Sequence, residues 1–272
     1  MKVHQLRYLF GFRPAPRSYG YQVTTFDLPR DGRIEYAQWQ HPGETPKIIR
    51  QETVDELRRF VRAGDVVLDI GAHTGDSTLP LALAAGPEGV VLALEPNSYV
   101  YPVLQKNAQL NTGKTTIVPL NFAATLEPGE YEFKYSDSGF CNGGLLAGFS
   151  TWRHGHAFAL KVRGENLQEY LRMHFAKLID RIRFVKVDAE GYDYQILMSL
   201  DDLIARRRPF LRVEIHKLTS RPQREQMFDF LTRQGYEIFR IESDAKYRGT
   251  RLARRDVSAV RHYDVFCEPG LG

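Results

Sequence analysis

The chain has 272 residues, of which 43% are hydrophobic, so it can form one large globular domain or two small ones. Its 37 Lys and Arg residues against 33 Asp and Glu residues give a formal net charge of +4, too small to argue for a nucleic-acid partner by itself. With only two cysteines, neither a disulfide framework nor a Cys-rich zinc site is expected, and a reduced, cytoplasmic setting is favoured. We expect no signal peptide and no membrane span.

The N-terminal part predicts an irregular arm followed by a β-hairpin. Residues before about 20 contain two prolines and several arginines. Two short strands, at 21–28 and 34–39, flank the turn signal Arg30-Asp31-Gly32. This pattern predicts an extension that precedes the main domain.

A helix is predicted from Thr53 to about Ala63, because Thr53 and Glu56 have the spacing of a capping box. We therefore divide the chain into an N-terminal arm and hairpin extension, 1–52, and a main domain, 53–272.

The residues from Val66 to Gly75, VVLDIGAHTG, contain the most informative motif of the chain. An apolar run, typical of a buried parallel strand, leads into a turn in which Gly71 and Gly75 allow sharp bends and close approach of a ligand. A second apolar run, Val90–Leu94, ends in Glu95. Strand, glycine turn, helix, strand and acid form the nucleoside-binding half of a doubly wound sheet, in which the terminal acid suits a ribose diol.

The spacing of the glycines indicates which nucleoside binds. Dinucleotide folds use G-x-G-x-x-G to place a pyrophosphate on a helix N-terminus, whereas here the spacing is G-x-x-x-G. Asp69 stands just before the turn, where it would repel a pyrophosphate but attract a cation. We therefore expect S-adenosylmethionine as cofactor and S-adenosylhomocysteine as product. A structural βα turn and a nucleotide-binding dehydrogenase remain as alternatives.

The remaining elements continue this alternation and predict an α/β fold. The sheet is expected to be doubly wound and Rossmann-like, mostly parallel, with an antiparallel last strand. Predicted strands lie at 66–70, 90–95, 115–119, 183–188, 210–216, 236–241 and 257–267, and predicted helices at 75–85, 98–111, 193–205 and about 220–234.

Two segments interrupt the pattern. The region 121–166 contains strand-like pieces at 130–134 and 157–162, and its part 136–155 is rich in glycine and aromatic residues, which favours a cover over the site or a surface loop. The basic residues at 246–255 are typical of a solvated loop, with a substrate-facing loop as the alternative.

A second chemical motif, FVKVDAEGYD at 184–193, runs from a buried strand into an acidic turn. Because ligands bind outside the carboxyl ends of parallel strands, Asp188 is expected to face the cofactor crevice. Glu214 and His216 share one face of the next strand and are expected to converge with Asp188 on one pocket. His216 is the natural base for a hydroxyl near neutral pH. A divalent metal held by these three residues, or helix capping by Asp188, remains as an alternative.

Over about residues 50–242 the chain resembles the FkbM family of S-adenosylmethionine-dependent methyltransferases. The resemblance rests on LDIGAHTG at 68–75, LEPN at 94–97, KVDAEGY at 186–192 and VEIH at 213–216. It implies a class I methyltransferase fold and O-methylation of hydroxyls on sugars, glycolipids or secondary metabolites. It also implies cofactor contacts by Asp69, Gly71, Gly75 and Glu95, with Asn121 and Ala123 near the adenine.

The sequence-based site therefore has two parts. The predicted cofactor-binding residues are Asp69, Gly71, His73, Thr74, Gly75, Glu95, Pro96, Asn121, Ala123 and Asp188. The predicted catalytic residues are His216, Asp188 and Glu214.

Other functions remain open at this point. A nucleic-acid methyltransferase is the second hypothesis, but methylation of an exocyclic base amine is disfavoured, because residues 188–191 are DAEG instead of an (N/D)-P-P-(Y/F) run. A non-catalytic adenosyl-binding module is a third hypothesis. We expect a small-molecule or glycan hydroxyl acceptor and no nucleic-acid partner.

Overall fold

The computed structural model describes residues 15–135, 137–139, 143–144 and 158–270. The strands are β1 (Tyr21–Leu28), β2 (Gly32–Trp39), β3 (Val66–Ile70), β4 (Val90–Leu94), β5 (Ile117–Leu120), β6 (Ala123–Ala124), β7 (Gly129–Tyr135), β8 (Gly143–Gly144), β9 (Phe158–Glu165), β10 (Ile182–Val187), β11 (Phe210–Ile215), β12 (Tyr236–Arg240) and β13 (Tyr263–Pro269). The α-helices are α1 (Gln51–Leu57), α2 (Thr78–Ala85), α3 (Tyr101–Gln109), α4 (Leu167–His174), α5 (Asp193–Ser199), α6 (Asp201–Arg207) and α7 (Arg221–Arg233).

Seven strands form the central sheet, in the order β12-β13-β11-β10-β3-β4-β5. The strands from β11 to β5 pair in parallel, and β13 is antiparallel to both of its neighbours. All of β3 is buried and nearly all of β4, as expected for strands covered by helices on both faces. The predicted α/β fold with a mostly parallel sheet is therefore confirmed.

Several element boundaries differ from the prediction, and three of the differences are informative. The helix predicted at 193–205 is two helices, interrupted at the buried Leu200. Helix α1 begins at Gln51 after Arg50, and no side chain caps it, so the capping box predicted at Thr53 is wrong. The last strand begins at Tyr263 instead of residue 257.

Two asparagines on and after α3 bind the edge of β2 that β1 leaves open. The amide of Asn107 accepts from the N–H of Ala37 and donates to its carbonyl. One helical turn later, Asn111 forms the same pair of bonds with the backbone of Glu35. The hairpin of β1 and β2 is thereby fixed against the main domain through side-chain amides.

The insertion after β5 forms a second, smaller sheet in the order β6-β9-β7-β8. Its antiparallel strands β7 and β9 lie where strands were predicted at 130–134 and 157–162, and β9 continues to Glu165. Most of the predicted cover at 136–155 lies outside the described residues. Helix α4 follows, with the Asn166 side chain accepting from the Glu169 N–H as its cap. Among the described residues, no helix is both long and apolar enough to cross a membrane.

Candidate active site

A cavity of about 690 Å³ opens at the carboxyl ends of β3, β4 and β10. One wall is the segment 44–50, which connects the hairpin to α1, and another is the segment 122–125 after β5. This volume lies within the range of about 300–1,000 Å³ typical of sites for cofactors and other small molecules. The cavity occupies the crevice position that the sequence predicts for the nucleoside.

The glycine turn after β3 is shaped by its contact with β10. Gly71 has a φ of +79°, and a Cβ built there would lie 1.9 Å from the carbonyl oxygen of Asp188. The N–H groups of Gly71 and Ala72 both donate to the carbonyl of Leu94 in β4. Gly71 also lines the cavity, but the neighbouring backbone alone already requires a glycine here.

Glu95 projects from the end of β4 into this cavity, and two backbone N–H groups orient it. One carboxylate oxygen accepts from the N–H of His73 at 2.9 Å, and the other from that of Asn97 at 2.8 Å. Burial raises the pKa of Glu95, against the lowering effect of these bonds. Its carbonyl accepts from the side chain of Asn121. The carboxylate keeps lone pairs on both oxygens, which suits it to accept from a ribose diol.

The buried Lys186 connects the two sequence motifs. Its Nζ donates to the carbonyl of Gly71 at 3.0 Å and lies 3.3 Å from a carboxylate oxygen of both Asp69 and Asp188. The charges of these two carboxylates outweigh desolvation and raise the pKa of Lys186. For Asp188, burial favours a higher pKa, but Lys186 and Arg212 hold that pKa below its usual value. Both Lys186 and Asp188 line the cavity.

Asp69 faces the protein interior instead of the cavity. It is fully buried, and one carboxylate oxygen accepts from the hydroxyls of Ser77 and Thr78 at the start of α2. The other oxygen faces Lys186. Asp69 therefore stabilises the turn and the following helix.

The predicted cofactor residues fall into two groups. Those that line the cavity are Gly71, His73, Glu95, Pro96, Ala123 and Asp188. Those outside its lining, as far as the structure describes it, are Asp69, Thr74, Gly75 and Asn121.

The three predicted catalytic residues do not meet in the cavity. Only Asp188 lines it, whereas Glu214 and His216 are buried behind its described lining. Glu190 lies between the cavity and His216, with a carboxylate oxygen 3.2 Å from Nε2 of His216. Desolvation, with the charges of nearby carboxylates, raises the pKa of Glu214 to about 10, so it is neutral near pH 7. No three His, Cys, Asp or Glu residues in the described part of the chain are arranged to hold a metal ion.

The basic side chains of the loop at 246–255 face acidic partners, and none of the five is in the described lining of the cavity. Its ion pairs are Lys246–Glu242, Arg248–Glu268, Arg251–Glu237, Arg254–Glu225, Arg254–Asp229 and Arg255–Asp256. The loop does contribute Tyr247 and the preceding Asp244 to the cavity wall. The N–H of Tyr247 donates to the buried carboxylate of Glu56 on α1.

The hairpin is joined to the glycine turn, which the sequence did not predict. The hydroxyl of Tyr36 lies 2.6 Å from that of Thr74, and the side chain of Asn107 donates to the carbonyl of Thr74. In addition, Lys47 pairs with Asp76 at 3.4 Å. The N-terminal extension, 1–52, therefore stabilises the predicted cofactor site and also forms one of its walls.

Several residues that line the cavity are not among those predicted from the sequence. Lys186 carried a usable signal, because it is a charged residue between the apolar Val185 and Val187 of β10. Arg212 is similar: it binds Asp264, and Tyr247 accepts from its guanidinium. Tyr135 and the segment 44–50 carried no comparable signal, since each reaches the cavity only through the tertiary fold.

Solved methyltransferase structures show loose likeness to this chain. Methyltransferase FkbM from Methylobacillus flagellatus is 15% identical, with 75% of this chain and 43% of that chain aligned and a TM-score of 0.42. The match therefore spans less than half of that protein. Fibrillarin from Aeropyrum pernix, solved with natively bound S-adenosyl-L-methionine, is 12% identical over 93% of this chain and 96% of that chain, with a TM-score of 0.45. An rRNA methylase from Streptococcus thermophilus is 11% identical over 81% and 96%, with a TM-score of 0.45.

TM-scores this low support no conclusion about function. No curated protein sequence matches this chain. The FkbM methyltransferase domain, however, matches residues 69–238, which is more than half of the chain and includes both motifs that form the cavity. The resemblance seen in the sequence is thereby confirmed, and the chain belongs to the FkbM methyltransferase family.

Proposed function

We propose that this protein transfers a methyl group from S-adenosylmethionine to a hydroxyl of a sugar, glycolipid or secondary metabolite. The observation that carries the proposal is one continuous cavity, with Glu95 at a nucleoside-type position and further carboxylates beyond it. The cytoplasmic location stays a prediction.

The residues present fit the cofactor. Glu95 is fixed to accept from the ribose hydroxyls, and the apolar side chains of Phe122 and Ala123 provide a surface for adenine. Asp188 offers a negative charge to a cationic ligand. S-adenosylmethionine supplies an electrophilic methyl group on a positively charged sulfur. Asp188 would hold that charge near the end of β10.

The rest of the cavity favours a hydroxyl-bearing acceptor. Its wall carries the carboxylates of Glu44, Asp76, Glu190 and Asp244. Carboxylates accept hydrogen bonds from hydroxyls, and three of these four are held in place by Lys47 or Arg212 of the same wall. Methyl transfer is a direct displacement, so an acceptor held in line with the methyl group already gains much of the rate acceleration.

Calorimetry with S-adenosylhomocysteine tests the cofactor part. We expect a micromolar Kd, about −8 kcal/mol, which Glu95→Gln should weaken at least tenfold, by about 1.4 kcal/mol. Glu130→Gln, at an exposed position on β7, is the matched control. Binding of NAD with no binding of S-adenosylhomocysteine would contradict the proposal.

Transfer of a tritiated methyl group tests the acceptor part. Parallel assays with methyl glycosides, with extracted small molecules and with total RNA should label the first two and leave the RNA unlabelled. Label found only in RNA would show that the acceptor class is wrong, even if the cofactor binds as expected.

A further inference from the structure

The turn after β10 places Glu190 between the cavity and a buried histidine. The side chain of Glu190 lines the cavity and is 48% exposed, whereas that of His216 is 2% exposed. Oε2 of Glu190 lies 3.2 Å from Nε2 of His216. Neither ring nitrogen of His216 has a hydrogen-bond partner among the described residues. The imidazole is therefore separated from the cavity by one carboxylate, and that carboxylate is its nearest acidic group.

The backbone of the turn is strained in a way that supports this placement. Glu190 has a φ of +52°, in the left-handed region that is unfavourable for a non-glycine residue. Gly191 follows at +103°, and a Cβ there would lie 3.3 Å from Nδ1 of His216. The carboxyl group of Asp193 accepts from the N–H groups of Ala189 and Gly191 and fixes the turn. Strain of this kind is typical of functional sites.

Beyond His216, polar groups continue towards solvent. The ring of His262 lies 5.9 Å from that of His216, nearly perpendicular to it, and its side chain is 52% exposed. Nδ1 of His262 is 3.7 Å from a carboxyl oxygen of Glu214. The buried guanidinium of Arg224 donates to the carbonyls of His216 and Arg261, which fixes both histidines relative to each other.

We propose that Glu190 and His216 together accept the proton that leaves the acceptor hydroxyl, an inference that rests on the proposed function. An O–C bond forms at the acceptor oxygen while the S–C bond breaks and leaves its electron pair on sulfur. The O–H electron pair stays on the acceptor oxygen, and its proton goes to the carboxylate of Glu190 and then to Nε2 of His216. Glu190 is the catalytic residue, and His216 acts through it.

Asp188 is the competing candidate for this role, and its surroundings disfavour it. The ammonium of Lys186 lies 3.3 Å from its carboxylate. This charge, with that of Arg212, holds the pKa of Asp188 below its usual value despite burial, so the carboxylate is a poor proton acceptor. Glu190 has a histidine as its close partner instead of a permanent cation.

Histidine NMR tests the pairing without an acceptor. In ¹⁵N-histidine spectra of the full chain saturated with S-adenosylhomocysteine, Glu190→Gln should change the ring-nitrogen shifts of His216. The exposed control Glu130→Gln should leave them unchanged. Unchanged His216 shifts in Glu190→Gln would overturn the pairing.

Kinetics with methyl glycosides as acceptor probes test the proton transfer. Glu190→Gln should lower kcat by about 10²-fold or more, while KM and the affinity for S-adenosylhomocysteine change less than about threefold. His216→Gln should lower kcat by about tenfold and alter the pH dependence of kcat, and the double variant should lose no more than Glu190→Gln alone. The titratable groups around Glu190 that shape this profile are Tyr135, Asp188, Asp193, Glu214 and His216.

Two results would overturn the inference: wild-type kcat in Glu190→Gln, or losses in the two single variants that simply add in the double variant. If the wild-type protein binds no S-adenosylhomocysteine, the proposed function has failed instead. The NMR comparison, repeated on the ligand-free chain, still decides whether Glu190 and His216 are paired.

Discussion

Because the turns of the two motifs lie close together, replacing different glycines with alanine should destabilise the protein to different degrees. At Gly71 a Cβ would lie 1.9 Å from the carbonyl oxygen of Asp188, so that the turn or the end of β10 must move by about 1 Å. Gly64 shares the left-handed backbone, with a φ of +89° against +79°, but its Cβ would meet no described atom within 4 Å. Gly64→Ala therefore isolates the backbone strain, and Gly71→Ala adds the steric overlap.

The expected magnitudes follow from these two contributions. Left-handed backbone costs an alanine about 1–2 kcal/mol, and overpacking costs about 1–3 kcal/mol more. Gly64→Ala should therefore lower the free energy of unfolding by about 1–2 kcal/mol, and Gly71→Ala by about 2–5 kcal/mol. Gly71→Ala should also weaken S-adenosylhomocysteine binding at least tenfold, about 1.4 kcal/mol, because Asp188 is displaced. Gly64→Ala should bind normally.

Urea unfolding and calorimetry on both variants provide the measurements. Gly75→Ala is an intermediate case, with a φ of +94° and a contact of 3.1 Å to the flexible side chain of Leu104, and it keeps the series informative if Gly71→Ala does not fold. Equal losses of stability at Gly64 and Gly71, together with normal binding by Gly71→Ala, would refute the reasoning.

Three further predictions concern the polar groups around the cavity. Because burial raises the pKa of Glu214 to about 10, the folded protein holds a proton that the unfolded chain loses above about pH 4.5. Stability should therefore fall as the pH rises from about 4.5 towards 10, and Glu214→Gln should reduce that slope in urea unfolding at several pH values. Lys186→Met should cost about 3–5 kcal/mol of unfolding free energy, because Asp69 would be left buried and unpaired. Tyr36→Phe should cost only about 1 kcal/mol, through loss of the hydrogen bond to Thr74.

Each of these three predictions would be contradicted by a specific result. An unchanged pH slope in Glu214→Gln would mean that this carboxyl is ionised in the folded protein. A loss below about 1 kcal/mol in Lys186→Met would mean that the ion pair is not needed to hold Asp69. For Tyr36→Phe, a loss of binding much larger than the loss of stability would assign the hydroxyl a direct contact with ligand.

The parts of the fold that could be predicted are those set by local apolar runs. Strand β3 and the start of β4 match their predicted bounds, because every side chain there is apolar apart from one acid. The capping box at Thr53 failed for a non-local reason: Glu56 accepts from the N–H of Tyr247, 191 residues away. A rule based on the spacing of neighbouring residues cannot predict such a long-range contact.

In the candidate site, too, some features follow from the local sequence and others depend on the tertiary structure. Glu95 and Asp188 line the cavity as expected, since each directly follows the carboxyl end of a parallel strand. His216 also directly follows a strand, but the strained turn at Glu190 lies between it and the cavity. The sequence indicates a strand end, whereas which side chain reaches the cavity depends on the turn conformation.

The amide pairs formed by Asn107 and Asn111 have a consequence for self-association. An unpaired strand edge offers N–H and carbonyl groups to other chains and is a common origin of aggregation. On β2 these groups at Glu35 and Ala37 are occupied by side chains of the same molecule. Replacing both asparagines with alanine would expose a ready-made template for strand addition, so these two side chains should also protect this edge from self-association.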